Sequence, residues 1–511
     1  MSIDEPIPPS VSSEDLETCV KVLEKIASHK AYSRLESTIH DRLQPILHSL
    51  FHIQKRLKRK RLVDHRAQLR QTDIKAKNNC LLRAGRAEKL QQLQLQHVLV
   101  PDGTVPTSAI TSPNDSQRLL KSIPCYICKL KFRTLHFFYD SLCPSCAALN
   151  FSKRNQTTDL SKRIALVTGG RLKIGYRIVL KLLRANCFII ATSRFPIDFL
   201  NRLNKERDFD EWKSRIHIYA VDFRSARLIE EFTQTIIEKY DRLDFLINNA
   251  CQTIQRPQEF YQHLVNHERL ASYALLPPDQ QAIVDGNLQF YKQLFPFSTQ
   301  FLEHAPTSLP ISSTLNDSMS SSLINTTSFD VNNQLIDFRP TNSWMLRLAD
   351  LSSIEVAEVL SINTLAPFIL NSKLKVLMAD KHPESECAKF IINVSAMEGS
   401  FSRKNKTSRH PHTNAAKAAL NMMTRTSASD YKKFNIYMVS VDTGWINDEK
   451  PLDIAYKTMI ERDFQTPLDE EDAAARVLDP IIDTYRQVAE GKTDINIAYG
   501  CFLKDYQKCD W

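Results

Sequence analysis

No stretch of this 511-residue sequence is apolar over the roughly 20 residues that a membrane-spanning helix needs. The N-terminus, MSIDEPIPPS, also lacks the basic and then apolar segments of a secretory signal. Glycine is scarce at 10 residues, and 42% hydrophobic with 24% charged residues is ordinary for a soluble globular protein. The sequence therefore predicts a cytoplasmic or nuclear protein that is not secreted, with room for two or three domains.

A disulfide framework is not indicated, because seven of the eleven cysteines are scattered singly. The other four follow the spacing C-x2-C-x14-C-x2-C and are Cys125, Cys128, Cys143 and Cys146. Two such knuckles let four thiolates meet one tetrahedral ion, and the spacing is close to that of a zinc ribbon. We predict a structural Zn²⁺ at these four residues. His136 could replace one thiolate, although a packed histidine is the simpler interpretation.

Basic residues are concentrated in the first third of the chain. Residues 1–160 carry 25 Lys and Arg against 15 Asp and Glu, and residues 55–61, KRLKRKR, hold six cations. Such a run is typical of a nuclear-import signal or a phosphate-binding patch, and equally of a solvated helix face beside an acidic partner. It has neither interleaved aromatic residues nor a recognition-helix motif. A protein or nucleic-acid partner at 55–61 is therefore one expectation among these.

The stretch RIALVTGGRLKIGYRIVLKLL, residues 163–183, changes from a buried strand to an amphipathic helix. Apolar residues fill 164–167, and from Ile174 they recur at helical spacing. A glycine-containing turn joins the two elements. This order places helix N-terminal amides against an anion, usually the phosphates of a dinucleotide.

Further apolar strands follow at 187–192, 216–221 and 243–247, and helical segments separate them. This alternation is typical of a parallel, doubly wound sheet. The sequence therefore predicts an α/β fold with a Rossmann-like sheet. Three regions are expected: a helical basic region at 1–115, a four-cysteine zinc-ribbon-like module at 116–158, and the dinucleotide-binding domain at 159–511 with an insertion at about 255–350.

Three motifs of this domain recur in a known family: T-G-x-x-x-x-I-G at 168–175, Asp222 after the third strand, and NNAC at 248–251. Through them the chain resembles the short-chain dehydrogenase/reductase family, which has NNAG at the last position. The resemblance implies an oxidoreductase that uses a nicotinamide dinucleotide on a carbonyl or an alcohol. The residues expected to bind the cofactor are Thr168, Gly169, Gly170, Arg171, Lys173, Ile174, Gly175, Arg194, Asp222, Asn248, Asn249, Ala250, Lys417, Thr443 and Gly444.

Charge favours one form of the cofactor. An acidic residue at the end of the second strand would bind the adenosine ribose, whereas a cation there accommodates a 2′-phosphate. The chain has Arg194 at that place, so we expect NADP(H) rather than NAD(H). The family also has glycine at the position of Lys173. A lysine there is expected to need an ordinary φ, and its side chain would either add charge along the phosphates or block them.

The segment between Asn249 and Asn363 interrupts the resemblance. Residues 255–302 show helical periodicity, and residues 305–343 are rich in Ser, Thr and Asn, which is typical of a mobile loop. Because the insertion leaves the carboxyl edge of the sheet, where such folds bind ligands, it could form a substrate lid. An insertion with no role in binding is the alternative.

The family's catalytic positions are only partly kept. Asn363 and Lys417 match the relay asparagine and the lysine, but the serine position, counted back from Gly399, is Ala396, and the tyrosine position is Thr413. A threonine hydroxyl has far too high a pKa to act as the acid. Ser395 would point to the other side of its strand. His412, with His410 and Glu398 as further candidates, is the expected substitute, although a histidine beside a helix start is often a surface or capping residue.

Three functions remain open from the sequence. The first is an oxidoreductase with NADP(H) and a rewired proton donor. The second is a cofactor-binding pseudoenzyme that serves as a scaffold or redox sensor. The third is a nucleic-acid-associated protein that binds through its basic and zinc-binding N-terminal region. The substrate is unknown in each case, and a homo-oligomer is compatible with all three.

Overall fold

The computed structural model describes residues 12–28, 37–96, 117–268, 273, 275–294, 324–330, 334–379, 387–403, 405–447 and 449–511. The chain divides into two compact units, Met1–Ile74 and Lys75–Trp511. Helices α1 (Ser13–Ser28) and α2 (Ser37–Asn78) begin in the first unit. Ser12 caps α1, because its hydroxyl accepts the Asp15 N–H at 3.1 Å and its own N–H donates to the Asp15 carboxylate at 2.9 Å. The basic run 55–61 lies on α2, where most of it is exposed.

The second unit alternates strands and helices, as predicted. Its described strands are β1 (Arg118–Pro124), β2 (Lys131–Thr134), β3 (Ile164–Val167), β4 (Phe188–Ser193), β5 (Ile216–Ala220), β6 (Phe245–Asn248), β7 (Ile324–Phe329), β8 (Leu335–Asp337), β9 (Lys389–Ser395), β10 (Ile436–Asp442), β11 (Phe502–Lys504) and β12 (Gln507–Cys509). Its described helices are α3 (Leu81–Gln96), α4 (Pro144–Asn155), α5 (Lys173–Arg184), α6 (Pro196–Leu203), α7 (Phe209–Trp212), α8 (Ala226–Lys239), α9 (Gln262–His267), α10 (Pro278–Leu294), α11 (Ser353–Leu360), α12 (Ala366–Lys373), α13 (Lys375–Met378), α14 (Pro411–Lys432), α15 (Leu452–Arg462) and α16 (Glu470–Ala489).

The central sheet has eight strands in the order β12-β11-β10-β9-β6-β3-β4-β5. All neighbouring strands are parallel except β11 and β12, which form an antiparallel hairpin at one edge. Strands β3, β6 and β9 are almost wholly buried, because helices pack on both faces and form two apolar cores. The predicted α/β, Rossmann-like fold is confirmed.

The opposite edge strand, β5, is covered by helix α10 of the insertion. Asn287 donates through Nδ2 to the Ile218 carbonyl at 2.7 Å and accepts the Ala220 N–H. Gly286 lets the helix approach, because a Cβ there would lie 2.7 Å from the Tyr219 ring. The side chain of Asn287 thus takes the place of a neighbouring strand.

The predicted loop at 305–343 is wrong where the structure describes it. Residues 324–337 contain the antiparallel pair β7 and β8, and Leu335 is buried against Phe260. The Ser- and Asn-rich composition concealed this pair, because its apolar contacts come from a distant part of the insertion. The rest of that loop prediction lies outside the described residues.

One described helical stretch, Ser353–Lys373, has the length and apolar composition of a membrane span. It consists of α11, a π-helical turn at Ser361–Leu365, and α12. Part of it is buried in the core through Val359, Ala366 and Leu370. Core helices of globular proteins pass the same test, so this helix is weak evidence for a membrane.

Candidate functional site

The glycine turn between β3 and α5 is tightly built around Thr168. The Thr168 hydroxyl accepts the N–H groups of Asn249 and Ala250, each at 2.9 Å, which joins the turn to the end of β6. Gly169 has φ +68°, and a Cβ on Gly175 would lie 2.1 Å from the Gly169 carbonyl oxygen. Helix α5 has no side-chain N-cap, so its first amides remain suited to an anion. The turn therefore fits a dinucleotide phosphate.

Other predicted cofactor residues lie in two places. Asn249 joins the turn, because its side-chain amide donates to the carbonyls of Thr168 and Gly169. Asn248 instead is buried in the core, where it donates to Asn371 and Asn393 at 2.8 Å each. The side chain of Asn248 is therefore not directed to the glycine turn.

Arg171 is committed to other groups. Its guanidinium donates to the Asp198 carboxylate at 2.7 Å and to Gln334 of the insertion at 3.1 Å. Burial lowers the pKa of Arg171, and the Asp198 carboxylate opposes this shift. Arg171 thus fastens the insertion to the glycine turn.

Arg194 lies at the end of β4, as predicted. Its guanidinium is 4.4 Å from the centre of the Tyr261 ring and 5.5 Å from that of Phe195. Burial acts to lower its pKa, but Tyr261 and Asp222 raise it. Asp222 itself is paired with Arg224, whose Nε is 3.0 Å from both carboxylate oxygens. Two arginines thus stand beside the predicted adenosine position.

Lys173 has the positive φ of a glycine. The expectation of an ordinary φ is wrong, since the structure gives Lys173 a φ of +50°. This left-handed geometry strains a residue that carries a Cβ.

Glycine at position 173 should relieve this strain. We expect Lys173→Gly to be more stable than Lys173→Ala by about 1 kcal/mol, the reverse of the usual helical order. Both variants remove the lysine side chain, so only the backbone effect differs. Urea unfolding of the two proteins measures it. Greater stability of the alanine variant would contradict a strained backbone at this position.

Helix α14 brings the remaining catalytic positions together. Lys417 is buried and donates to the Val394 carbonyl of β9 at 2.7 Å. A Cβ on Gly399 would lie 2.5 Å from the backbone of Lys417, so the turn that carries Ala396 packs directly on this helix. The Thr413 hydroxyl is buried and has no partner among the described residues. The Ser395 hydroxyl donates to Asn421 of the same helix at 2.7 Å.

Asn363 occupies the π-helical turn and is buried. Its side-chain oxygen accepts the Gln252 N–H at 2.8 Å, and its amide donates to the Gln252 carbonyl at 2.9 Å. Asn363 therefore anchors the chain that follows NNAC. The neighbouring Thr364 hydroxyl donates to the Ala416 carbonyl at 3.0 Å, which fixes this turn beside Lys417.

His412 is neither a surface residue nor a cap. Its side chain is 0% exposed, and its Nε2 lies 3.9 Å from the Glu355 carboxylate of α11. Neither ring nitrogen nor Glu355 Oε1 has a hydrogen-bond partner in the described part of the chain. Burial lowers the pKa of His412, and Glu355 opposes that shift. The ring is therefore a buried imidazole beside the Glu355 carboxyl group.

His410 occupies the helix-capping position instead. It has φ +44° and stacks on Trp344 with ring centres 3.9 Å apart. The adjacent chain, residues 342–346, also contacts two other loops near the site: Ser343 accepts the Gln255 N–H, and Asn342 donates to the Glu449 carbonyl. The end of the insertion thus packs beside α14. Glu398, the third candidate acid, is paired with Arg403 at 2.9 Å.

The four predicted metal ligands converge. The Sγ atoms of Cys125, Cys128, Cys143 and Cys146 all lie within 4.8 Å of one another. Cys128 and Cys143 are 3.7 Å apart, close to the separation of about 3.8 Å that tetrahedral Zn–S bonds of 2.3 Å give. Burial opposes ionisation of Cys143, but hydrogen bonds from Ser145, the Cys146 amide and neighbouring thiols lower its pKa to about 6. The cluster fits a metal bound by four thiolates.

His136 is not part of this cluster. Its Nδ1 accepts the Phe138 N–H at 3.2 Å, and its ring packs on Phe137 with centres 4.3 Å apart. It is a half-buried histidine that packs on the aromatic rings of the four-cysteine module.

Comparison with known proteins finds a family that the first part of the sheet domain resembles. The family model described as short chain dehydrogenase matches residues 163–271, which include the glycine turn, Asp222 and NNAC. Residues 163–271 of the chain are thus similar to the short-chain dehydrogenase family. Among curated members of this family, a (+)-neomenthol dehydrogenase of Capsicum annuum is 34% identical over 93 residues, 18% of this chain and 29% of the relative. A short-chain dehydrogenase/reductase of Armillaria gallica is 27% identical over 100 residues, 20% of this chain and 31% of the relative.

A longer part of the chain matches a protein whose name does not describe it as a dehydrogenase. An uncharacterized protein of Acanthamoeba polyphaga mimivirus is 29% identical over 370 residues, which cover 70% of this chain and 71% of the relative. Among solved structures, the NADPH-bound carbonyl reductase from chicken fatty liver is 17% identical, with a TM-score of 0.40, and covers 70% of this chain and 98% of its own.

Sequence reasoning missed several residues around the dehydrogenase site. Arg224 could have been found, because it follows Asp222 by two residues. Glu355 and Trp344 had no local signal. Their positions depend on how α11 and the insertion pack against α14.

Proposed function

We propose that the protein is an NADP(H)-dependent oxidoreductase that interconverts a carbonyl and an alcohol. Three observations support this function: the match of residues 163–271 to the short-chain dehydrogenase family model, the uncapped glycine turn and the buried Lys417. The cofactor, when bound, supplies or accepts the hydride. Thr168, the turn 169–175 and Asn249 would hold its phosphates, and Thr443 with Gly444 would contact its nicotinamide end.

In this proposal His412 replaces the missing tyrosine as the proton donor. The observation that carries it is the buried imidazole with two unpartnered ring nitrogens beside Glu355, within the described part of the chain. During reduction the imidazolium would donate its proton to the carbonyl oxygen, and during oxidation the neutral ring would accept the hydroxyl proton. Glu355 would stabilise the imidazolium, since an opposite charge nearby favours the protonated form.

A cofactor-binding pseudoenzyme is the second candidate. The Thr413 hydroxyl and the Ala396 position favour it, because neither group can serve as an acid. The two functions differ in turnover and not in cofactor binding. Titration of the purified protein with NADPH and NADH, followed by turnover with a carbonyl panel, separates them. Binding without turnover would favour the pseudoenzyme, and turnover would support the oxidoreductase.

The four-cysteine cluster is proposed to hold a structural Zn²⁺. Four thiolates fill a tetrahedral ion completely and leave no position for substrate. The ion would act on folding, because a cluster of this kind forms only in the folded module.

The NADP(H) preference can be tested at Arg194. Arg194→Ala should raise the Kd of NADPH about ten- to hundredfold, the range of a charge-assisted hydrogen bond, and change that of NADH little. Fluorescence titration with both cofactors measures this difference. Arg184→Ala is the control, since Arg184 is a surface residue paired with Asp208. Equal weakening of NADPH and NADH by Arg194→Ala would exclude the 2′-phosphate role.

A further inference from the structure

The chain between β10 and α16, residues 442–469, lies against the four-cysteine module. We name it the 442–469 segment. It begins at Asp442, continues through Thr443 and Gly444, and ends at Asp469, the N-cap of α16. Contacts with the module near both ends connect the metal cluster to a predicted part of the cofactor site.

The first contact is made by Tyr126, the residue that follows the ligand Cys125. The Tyr126 hydroxyl oxygen accepts the N–H of Trp445 at 2.9 Å. This bond fixes the segment one residue after Gly444. Ile446 packs on the apolar core of the module, which includes the buried Cys125 and Cys143.

Leu468 provides a second connection. It is fully buried in the same module core. Gly444 has φ +77°, and a Cβ there would lie 2.5 Å from Leu468 Cδ1, so the two ends of the segment are in direct contact. A larger residue at 444 would therefore have to push the Leu468 side chain aside.

Two arginines from helices α3 and α4 bind the C-terminal end of the 442–469 segment. Arg86 of α3 donates to the carbonyls of Thr466 at 2.6 Å and Leu468 at 2.7 Å. Arg154 of α4 makes a two-pronged contact with Asp469 at 2.5 and 2.9 Å. Such bidentate pairs fix geometry as well as charge.

Asp442 joins the segment to the catalytic turn. Its carboxylate accepts the Gly444 N–H at 2.9 Å and the Met397 N–H at 2.8 Å. Met397 follows Ala396, the position of the family's serine. A shift of the segment would therefore move both Gly444 and the turn that carries Ala396, which flank the predicted nicotinamide position.

We infer that the four-cysteine module positions residues 442–446 for the nicotinamide half of the cofactor, and that Tyr126 is the positioning residue. The inference rests on the proposed NADP(H) function. In this arrangement the metal-holding knuckle fixes Tyr126, Tyr126 fixes Trp445, and Trp445 fixes the Thr443–Gly444 pair. The adenosine half of the site, around Arg194 and Asp222, does not depend on these contacts.

The test compares two tyrosines of the module. Tyr126→Phe removes the acceptor for Trp445. Tyr139→Phe is the matched control, because the Tyr139 hydroxyl donates to Asp472 of α16 at 2.5 Å and not to residues 442–446. Affinity is measured for NADPH and for 2′,5′-ADP, which has only the adenosine half. We expect Tyr126→Phe to raise the Kd of NADPH roughly three- to tenfold, as for one neutral hydrogen bond, with 2′,5′-ADP unchanged.

The ratio of the two Kd values is decisive. Tyr139→Phe should leave it as in the native protein. If Tyr126→Phe left this ratio unchanged, whether or not both ligands bound more weakly, the inference would be overturned.

A second readout needs no nucleotide. Trp445 is 42% exposed, so its emission reports on the segment. Subtracting the spectrum of Trp445→Phe isolates that emission from the other tryptophans. Tyr126→Phe should shift it, whereas Tyr139→Phe should not. If the native protein bound neither nucleotide, the proposed function would fail, yet a Trp445 shift would still support positioning by Tyr126. An unchanged Trp445 signal in Tyr126→Phe would refute it.

Discussion

Cys143→Ser is expected to release the metal and unfold the four-cysteine module. Cys143 Sγ lies 3.7 Å from Cys128 Sγ of the other knuckle, so loss of this thiolate removes one of the four ligands and disturbs both knuckles. Structural zinc sites contribute about 10–16 kcal/mol of apparent binding free energy to folding. The free energy of unfolding should therefore fall by several kcal/mol.

Metal analysis and urea unfolding measure this effect together. Cys19→Ser is the control, because Cys19 is an exposed cysteine of α1 and should affect neither quantity. The damage should extend beyond the module, since Arg154–Asp469 and Arg83–Asp140 are largely buried pairs made by this region. If the native protein held no metal, the site would be disproved, and a metal-free Cys143→Ser protein with native stability would contradict a structural role for the ion.

His412→Ala is expected to lower carbonyl turnover by about 10² to 10⁴-fold, the usual contribution of a general acid. NADPH binding should remain, because His412 is not among the residues that form the glycine turn. His263→Ala is the matched control: His263 also has unpartnered ring nitrogens within the described residues, but it lies in α9. Full activity of His412→Ala would exclude the proposed donor.

The pH dependence follows from the same residue. Burial lowers the pKa of His412 below its ordinary value of 6.5, so the protonated donor accumulates only at lower pH. Carbonyl reduction should rise as the pH falls through that pKa, while alcohol oxidation should be favoured above it. Glu355→Gln removes the group that raises this pKa, so the rise in carbonyl reduction should occur at still lower pH. If Glu355→Gln left the pH dependence of carbonyl reduction unchanged, Glu355 would not influence the pKa of the proton donor.

The sequence predicted the parts of the fold that depend on local patterns. The mainly apolar runs at 164–167 and 216–221 became β3 and β5, because a parallel strand covered on both faces buries most of its side chains. The spacing of the four cysteines likewise required only two short knuckles. Each of these patterns involves residues that are close together in the sequence, so it can be recognised without knowledge of the tertiary structure.

The surroundings of the site could not be predicted in the same way. Arg171 carries the charge expected of a phosphate ligand, yet it is paired with Asp198 and with Gln334, 163 residues further along the chain. Glu355 approaches His412 only because α11 packs on α14. The positive φ of Lys173 had no signal in the sequence either, because lysine at that position predicts an ordinary φ. Composition and spacing do not encode such distant pairings.

Helix α10 has a consequence for any attempt to shorten the insertion. Asn287 satisfies the backbone groups of Ile218 and Ala220, and without it β5 would present open hydrogen-bonding groups to solvent. An unprotected strand of this kind recruits strands from other molecules and promotes aggregation. A shortened protein that keeps residues 278–294 should remain dispersed at high concentration. A shortened protein that lacks residues 278–294 should assemble through strand addition.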